Sequence, residues 1–219
     1  CAVAVCDVDT QNCASKTEAM TRGQSETLVP MVQDVLKESG TEFSDIDLIC
    51  TMRGPGAFTG LRIALSTARS FGLALNKPVV GLHTTDVLAR QYFAGNKLES
   101  GQTLCVLIET KRKDFYFQLY DARERPLCDV GAKNAEDIIA QCDGNTVFIG
   151  DALERFKALC GEPNNYSFVG GYEHSDPCVM AGMAIDAMQD NRCLNPEPLY
   201  LRDADVSQSK QKIRPVESN

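Results

Sequence analysis

Apolar residues recur along this chain in two periods, and the switches between them mark out its elements. Residues 1–6 alternate small and apolar side chains as a strand does, and residues 13–20 can pair with them across a polar turn at 7–12. Residues 26–39 take the helical period: Leu28, Val32 and Val35 form one stripe with Met31 and Leu36 beside it, and Pro30 sits inside the pattern, near the first turn or at a bend. Residues 46–51 read as a buried strand. Residues 61–75 read as a helix rich in small residues, with Ala64, Ala68 and Gly72 four apart. A short strand enters at 77–81, and a helix follows at 85–93. After a polar stretch at 95–102, strands at 103–108 and 115–121 predict a hairpin turning at Lys111-Arg112-Lys113-Asp114. A helix near 135–142, a strand at 146–149 and a helix near 177–189 complete the pattern. Hairpins followed by helix–strand alternation predict an α/β fold with a mixed sheet in each of two lobes. The predicted divisions are residues 1–101, residues 102–193, and a C-terminal segment 194–219 that ends in a polar tail.

The run Arg53-Gly54-Pro55-Gly56-Ala57-Phe58-Thr59-Gly60-Leu61-Arg62 joins the strand at 46–51 to the helix at 61–75 through three glycines and a proline. Glycine accepts positive φ, and a helix start offers unpaired N–H groups that can hold an anion, so a phosphate cradle is one reading. The spacing argues against the known cradles. A P-loop needs a Gly-Lys pair where Gly60 is followed by Leu61, and a dinucleotide loop needs its third glycine where Thr59 stands. The other reading is a tight turn that lets strand and helix pack closely, with Gly56 at positive φ, where a β-branched residue would strain the backbone. The two helix stripes are open in the same way. Leu28, Val32 and Val35, and Ala64, Ala68 and Gly72, suit either core packing or close contact with a partner.

Several segments, spread in order over most of the chain, carry a family resemblance. They are Arg22-Gly23-Gln24-Ser25-Glu26 with Leu28-Val29-Pro30-Met31, the loop Gly54 to Arg62, Lys77-Pro78-Val79-Val80-Gly81, and Pro198-Leu199-Tyr200-Leu201-Arg202. Together they resemble the TsaB (YeaZ) family. The resemblance implies two ribonuclease-H-like lobes of the actin-like ATPase (ASKHA) superfold, with the last residues returning to the first lobe. It also implies a cytoplasmic, non-catalytic subunit that acts as scaffold and activator of TsaD in threonylcarbamoyl transfer to adenosine of tRNAs reading ANN codons. The expected partners are TsaD as a heterodimer, TsaE through the complex, and a second copy when the chain is alone, with tRNA touched only indirectly. The expected partner-binding residues are Leu28, Met31, Val32, Val35, Ala64, Ala68, Phe71 and Gly72, and the family's motif loop falls on Gly54, Pro55, Gly56, Thr59, Gly60 and Arg62. Family members begin with a strand carrying Asp-Thr-Ser, whereas this chain opens at Cys1 in what would be the second strand, so about one strand is expected to be absent.

Charge and chemistry narrow the alternatives. Twenty-two Lys and Arg against 30 Asp and Glu give a net charge of −8, the wrong sign for gripping RNA phosphates over a broad surface. The one cationic cluster is Lys210, Lys212 and Arg214 in the polar tail. No stretch is apolar enough to span a bilayer, and no signal peptide opens the sequence. The ten cysteines form no Cys-x-x-Cys pair, and several sit in apolar runs, so they read as small buried hydrophobes; no clustered ligand set for zinc is visible. No Gly-x-Ser-x-Gly elbow surrounds any serine. TsaD holds its metal through a His-x-x-x-His pair that falls here on Thr84 and Leu88, while His83 is one position off and lacks a mate. No catalytic residue, cofactor or metal is therefore expected. The alternative, carried by fold kinship alone, is a glycoprotease-like peptidase or an actin-like ATPase.

Overall fold

The computed structural model describes residues 1–10, 12–142, 144–161 and 166–201. Arg202 and the cationic cluster Lys210, Lys212 and Arg214 lie outside the described residues. β1 (Ala2–Cys6) and β2 (Cys13–Thr17) form an antiparallel pair running from Ala2↔Thr17 to Cys6↔Cys13. The Asp7 N–H closes the intervening turn on the Asn12 carbonyl at 2.8 Å. α1 (Gln24–Ser39) starts two residues earlier than the apolar stripe predicts, because Gly23 turns into it at φ 90°, and it ends on Gly40 at φ 68°. A left-handed glycine after the last turn is the ordinary way to satisfy the final carbonyls, here Leu36 and Lys37. Pro30 lies inside the helix on its exposed side.

A 3-10 turn at Phe43–Asp45 leads into β3 (Ile49–Gly54), which is followed by α2 (Phe58–Leu75) and by β4 (Val79–His83), parallel to β3. α3 (Thr84–Gly95) then crosses to a second sheet. Here β5 (Thr103–Glu109) and β6 (Phe115–Tyr120) form the expected hairpin, and β7 (Gly131–Lys133), α4 (Ala135–Ile139), β8 (Thr146–Ile149), α5 (Leu153–Cys160), β9 (Tyr166–Phe168) and α6 (Pro177–Gln189) follow. The strand order is β7-β6-β5-β8-β9, antiparallel on one side of β5 and parallel on the other. The fold is thus mixed α/β with sheets flanked by helices. Sequence periodicity missed β7, α5 and β9, since three-residue strands and an eight-residue helix are too short to display a period.

β5 divides its alternate side chains between two cores. Cys105 and Leu107 pack with Phe115, Phe117, Ile138, Phe148 and Phe156 beneath α4 and α5. Leu104, Val106 and Ile108 pack with Leu88, Ala89 and Tyr92 of α3 on the other face. A strand covered on both faces reads as a continuous apolar run rather than an alternation, which is what residues 104–108 display. A smaller core joins Val80 and Leu82 of β4 to Val87 of α3 and Ala184 of α6.

Among the described residues, the earlier half does not form one sheet. β1–β2 and β3–β4 are separate pairs, and β1 and β3 bound a cleft of about 840 Å³ with α1 and α2 on one side and α6 on the other.

The cysteines also depart from expectation. Cys105 is fully buried, but Cys6, Cys13 and Cys178 lie nearer the surface and bring their sulfurs together across the joint between the first hairpin and α6. Their separations in sequence, 7 and 165 residues, gave no local signal of this.

Candidate functional site

The glycine-rich loop sits where β3 hands over to α2. Gly54 has φ 112°, and a Cβ built on it would lie 3.2 Å from the Leu61 side chain and 3.4 Å from the Leu199 carbonyl. The residue that needs to be glycine is therefore Gly54, not Gly56, which lies outside the left-handed region and whose built Cβ meets nothing nearer than 3.8 Å. The Gly54–Pro55 peptide bond is cis. α2 begins at Phe58, three residues before the predicted start, because Ala57 takes the extended N-cap conformation and the helical turn then closes through Leu61 N–H to the Ala57 carbonyl.

What stands over this helix start is aromatic. The Arg62 guanidinium lies 3.9 Å above the Phe58 ring, and its Nε donates to the Tyr200 hydroxyl at 3.0 Å. Phe58 and Tyr200 pack with ring centroids 5.7 Å apart. The Leu199 N–H donates to the Arg53 carbonyl at 2.7 Å, and the Gly81 N–H donates to Leu194 at 2.9 Å. The segment 194–200 thus lies along the end of β3 and against β4. Gly81 permits that approach, since a Cβ there would come within 2.7 Å of the Asn195 carbonyl. Of the motif-loop residues, Pro55 is buried, Gly60 is half-buried and Thr59 is exposed. Among the described residues, Arg53 Nε is buried without a hydrogen-bond partner. Sequence reasoning missed the Arg62–Phe58–Tyr200 stack, which joins residues 138 apart and has no local signature.

The eight residues expected to meet a partner divide by burial. Met31, Val35, Ala68 and Gly72 are buried within the chain, and Leu28, Val32, Ala64 and Phe71 are half-buried and line the cleft. Gly72 seats α2 on β4, because a Cβ there would lie 2.2 Å from Val79. The small-residue register of α2 therefore serves packing inside the molecule. The outward faces of the same helices carry Val29, Gln33 and Asp34 on α1, and Ser66, Arg69 and Leu73 on α2, with Leu73 87% exposed.

At the positions matching a His-x-x-x-His pair, Thr84 opens α3, and Leu88 is 2% exposed in the core. His83 Nδ1 instead lies 3.3 Å from Asp86 Oδ2. The Tyr120 hydroxyl, with its single proton, is 2.8 Å from Asp86 Oδ1 and 2.7 Å from Gln118 Oε1, which also accepts from Thr85. Burial and then the Asp86 carboxylate push the Tyr120 phenol far up, so it stays protonated and acts as a donor tying β6 to α3. Beyond the end of β5, Arg155 forms a two-point pair with Glu109 at 2.8 Å and stacks 3.7 Å over Phe115. Burial pushes Glu109 up, but the Arg155 hydrogen bond and the Lys111 N–H outweigh it and hold this carboxyl below its ordinary range. Neighbouring Asp151, which accepts the Glu109 N–H at 2.7 Å, is raised by burial.

Comparison with known proteins places this geometry. A model of the family described as TsaD: tRNA N6-adenosine threonylcarbamoyltransferase matches residues 16–212. The chain belongs to this family. Within the family, its curated relatives mark the TsaB/YeaZ branch. The chain is 32% identical over 125 residues to the tRNA threonylcarbamoyladenosine biosynthesis protein TsaB of Escherichia coli K12, covering 57% of this chain and 52% of that protein. It is 29% identical over 106 residues to TsaB of Buchnera aphidicola from Acyrthosiphon pisum, covering 48% and 47%. The chain spans about half the length of the curated relatives it matches. Two solved structures from Pseudomonas aeruginosa share the fold of this TsaB/YeaZ-branch chain. One is described as similar to peptidase YEAZ, with a TM-score of 0.77, 23% identity and coverage of 92% of this chain and 94% of that one. The other, YeaZ itself, has a TM-score of 0.76 and 22% identity. No helix among the described residues is long and apolar enough to cross a membrane.

Proposed function

We propose that the chain is a non-catalytic subunit of tRNA threonylcarbamoyladenosine synthesis, a scaffold and activator that docks on a TsaD protein. The observation that carries this reading is the pair of positions Thr84 and Leu88. A hydroxyl at a helix start and a core leucine stand where the catalytic relative needs two imidazoles. The biosynthetic role of the TsaB relatives and the net charge of −8, which leaves tRNA phosphates to a partner, point the same way. In this reading the halves on either side of residues 95–102 are the two lobes of an ASKHA fold, divided at 1–101, 102–193 and 194–219. The assembly works in the cytoplasm, with TsaE joining through the complex and a homodimer forming when TsaD is absent.

The partner face we assign is the outward side of α1 and α2. Met31, Val35, Ala68 and Gly72 fix these helices from within, and Leu73 is the exposed apolar anchor. An Arg at position 68 would be forced into the core, so the test uses Leu73→Arg. Because Leu73 is 87% exposed, the change leaves the melting midpoint within a degree or two, while co-elution with TsaD on size-exclusion chromatography drops at least tenfold in apparent affinity. Unchanged co-elution removes this face from the proposal. The peptidase or ATPase alternative predicts turnover by the isolated chain that one named substitution abolishes.

A further inference from the structure

Three cysteines that family and fold leave unassigned converge on one point. Cys6 ends β1 and Cys13 begins β2, directly opposite each other across the hairpin with Cα atoms 4.1 Å apart. Cys178 lies in the first turn of α6, 6.1 Å from Cys13 in Cα separation, and its N–H is held by the N-cap carboxylate of Asp176 at 2.7 Å. The three sulfurs lie within 4.8 Å of one another. Cys13 Sγ meets both of the others, yet a sulfur joins only one disulfide, so any disulfide in this set leaves one thiol over. A thiophilic cation uses all three.

We propose that Cys6, Cys13 and Cys178 form a three-thiolate site for a soft divalent cation of the zinc type, clipping the β1–β2 hairpin to α6. With Zn–S bonds of about 2.3 Å, sulfurs around one tetrahedral ion stand about 3.8 Å apart, a spacing that side-chain rotation within this cluster reaches. The remaining position goes to water, since all three cysteines lie near the surface. The hairpin register holds Cys6 and Cys13 side by side without help from the metal, and the first turn of α6 brings Cys178 to them. A contrast is Cys105, also beside other cysteines. Burial raises its thiol well above the ordinary range, with Cys142 adding to the rise, and this keeps it neutral. Binding releases the thiol protons to solvent and changes no oxidation state.

The consequence is mechanical. The clip joins residues 165 apart in sequence and braces a hairpin that, among the described residues, pairs with no further strand. Metal that binds the folded state alone raises the melting midpoint by about 5–10 °C at a hundredfold excess over Kd.

The test is cobalt(II) titration of the full chain, reduced and metal-free under anaerobic conditions, with no partner protein present. The expected result is a sulfur-to-cobalt charge-transfer band saturating at one ion per chain, displaced by zinc and accompanied by the rise in melting midpoint. Cys178→Ser and Cys13→Ser, checked for native circular dichroism, weaken binding at least tenfold. Cys193→Ser, an exposed thiol outside the cluster, leaves it unchanged. Absence of the band in the reduced wild type, or a band indifferent to Cys178→Ser, overturns the proposal. So does peptide mapping that finds Cys13 disulfide-linked in freshly purified protein whose reduced form takes up no metal. None of these outcomes depends on TsaD binding.

Discussion

β5 and β3 each lead through a turn into packed secondary structure, β5 into the antiparallel β6 and β3 into α2, yet they are supported differently. β5 is paired on both edges and covered on both faces, and all its residues from Leu104 to Ile108 are buried. Among the described residues β3 pairs with β4 alone, its other edge borders the cleft, and only Thr51 and Gly54 of its six residues are buried. Burial on two faces with pairing on two edges makes one cooperative unit, whereas a two-stranded pair draws its stability from the helices laid over it. Among the described residues, the second half is thus the more fully paired and covered. The first half depends on α1, α2, α6 and segment 194–200 to hold its strands, and it carries the surfaces assigned here to a partner and to a metal clip.

The sharpest way to break this contrast is in the second sheet. Phe156 is fully buried, with ring centroids 5.2 Å from Phe115 and 5.1 Å from Phe148, so Phe156→Ala should cost about 3–5 kcal/mol in urea unfolding. A loss under about 1 kcal/mol would show that this half is not the stable one.

A smaller effect tests the loop of the first half. Gly54→Val places a β-branched side chain at φ 112° against Leu61 and Leu199 and should cost about 1–3 kcal/mol. Gly56→Val, outside the left-handed region and in only ordinary contact with Leu61 at 3.8 Å, should cost under about 1 kcal/mol in the same melts. If the two costs reverse, the turn geometry described here is wrong. Melts of the wild type with and without ATP and magnesium separate the phosphate reading, which requires a ligand-dependent rise.

The smallest effect concerns pH. The folded Glu109 carboxyl sits below its unfolded value, so its pairing contributes fully above about pH 4.3 and is lost as pH falls through the folded pKa. Glu109→Gln should therefore cost about 1 kcal/mol at pH 7, and the gap to wild type should close at acid pH. A gap that does not narrow as pH falls would assign the loss to packing instead.

Much of this was legible in the residues. The run Thr103 to Ile108 announced a hairpin strand, though not that both its faces are covered, and the glycines after residue 53 announced a strand-to-helix turn. The 146–149 strand and the 177–189 helix fell where their apolar residues and flanking breakers put them. What was not legible was direction and distance. Periodicity shows that Ala64, Ala68 and Gly72 share a face but not that Val79 lies against it. Composition shows ten cysteines but not that positions 6, 13 and 178 meet. Nor do the residues show that Gly54 rather than Gly56 takes positive φ, with Leu199, far along the chain, lying against it.

That last contact sets an order of events at the ribosome. Arg62 waits for a hydroxyl 138 residues downstream, so at about 5–20 residues per second its aromatic cover arrives roughly 7–28 s after the loop itself emerges. Through that interval Phe58 and the end of β3 stand open while the five-stranded sheet is still being made. The cover of this loop is thus completed only after the five-stranded sheet has emerged, and until then the exposed Phe58 is where a chaperone would find its hold.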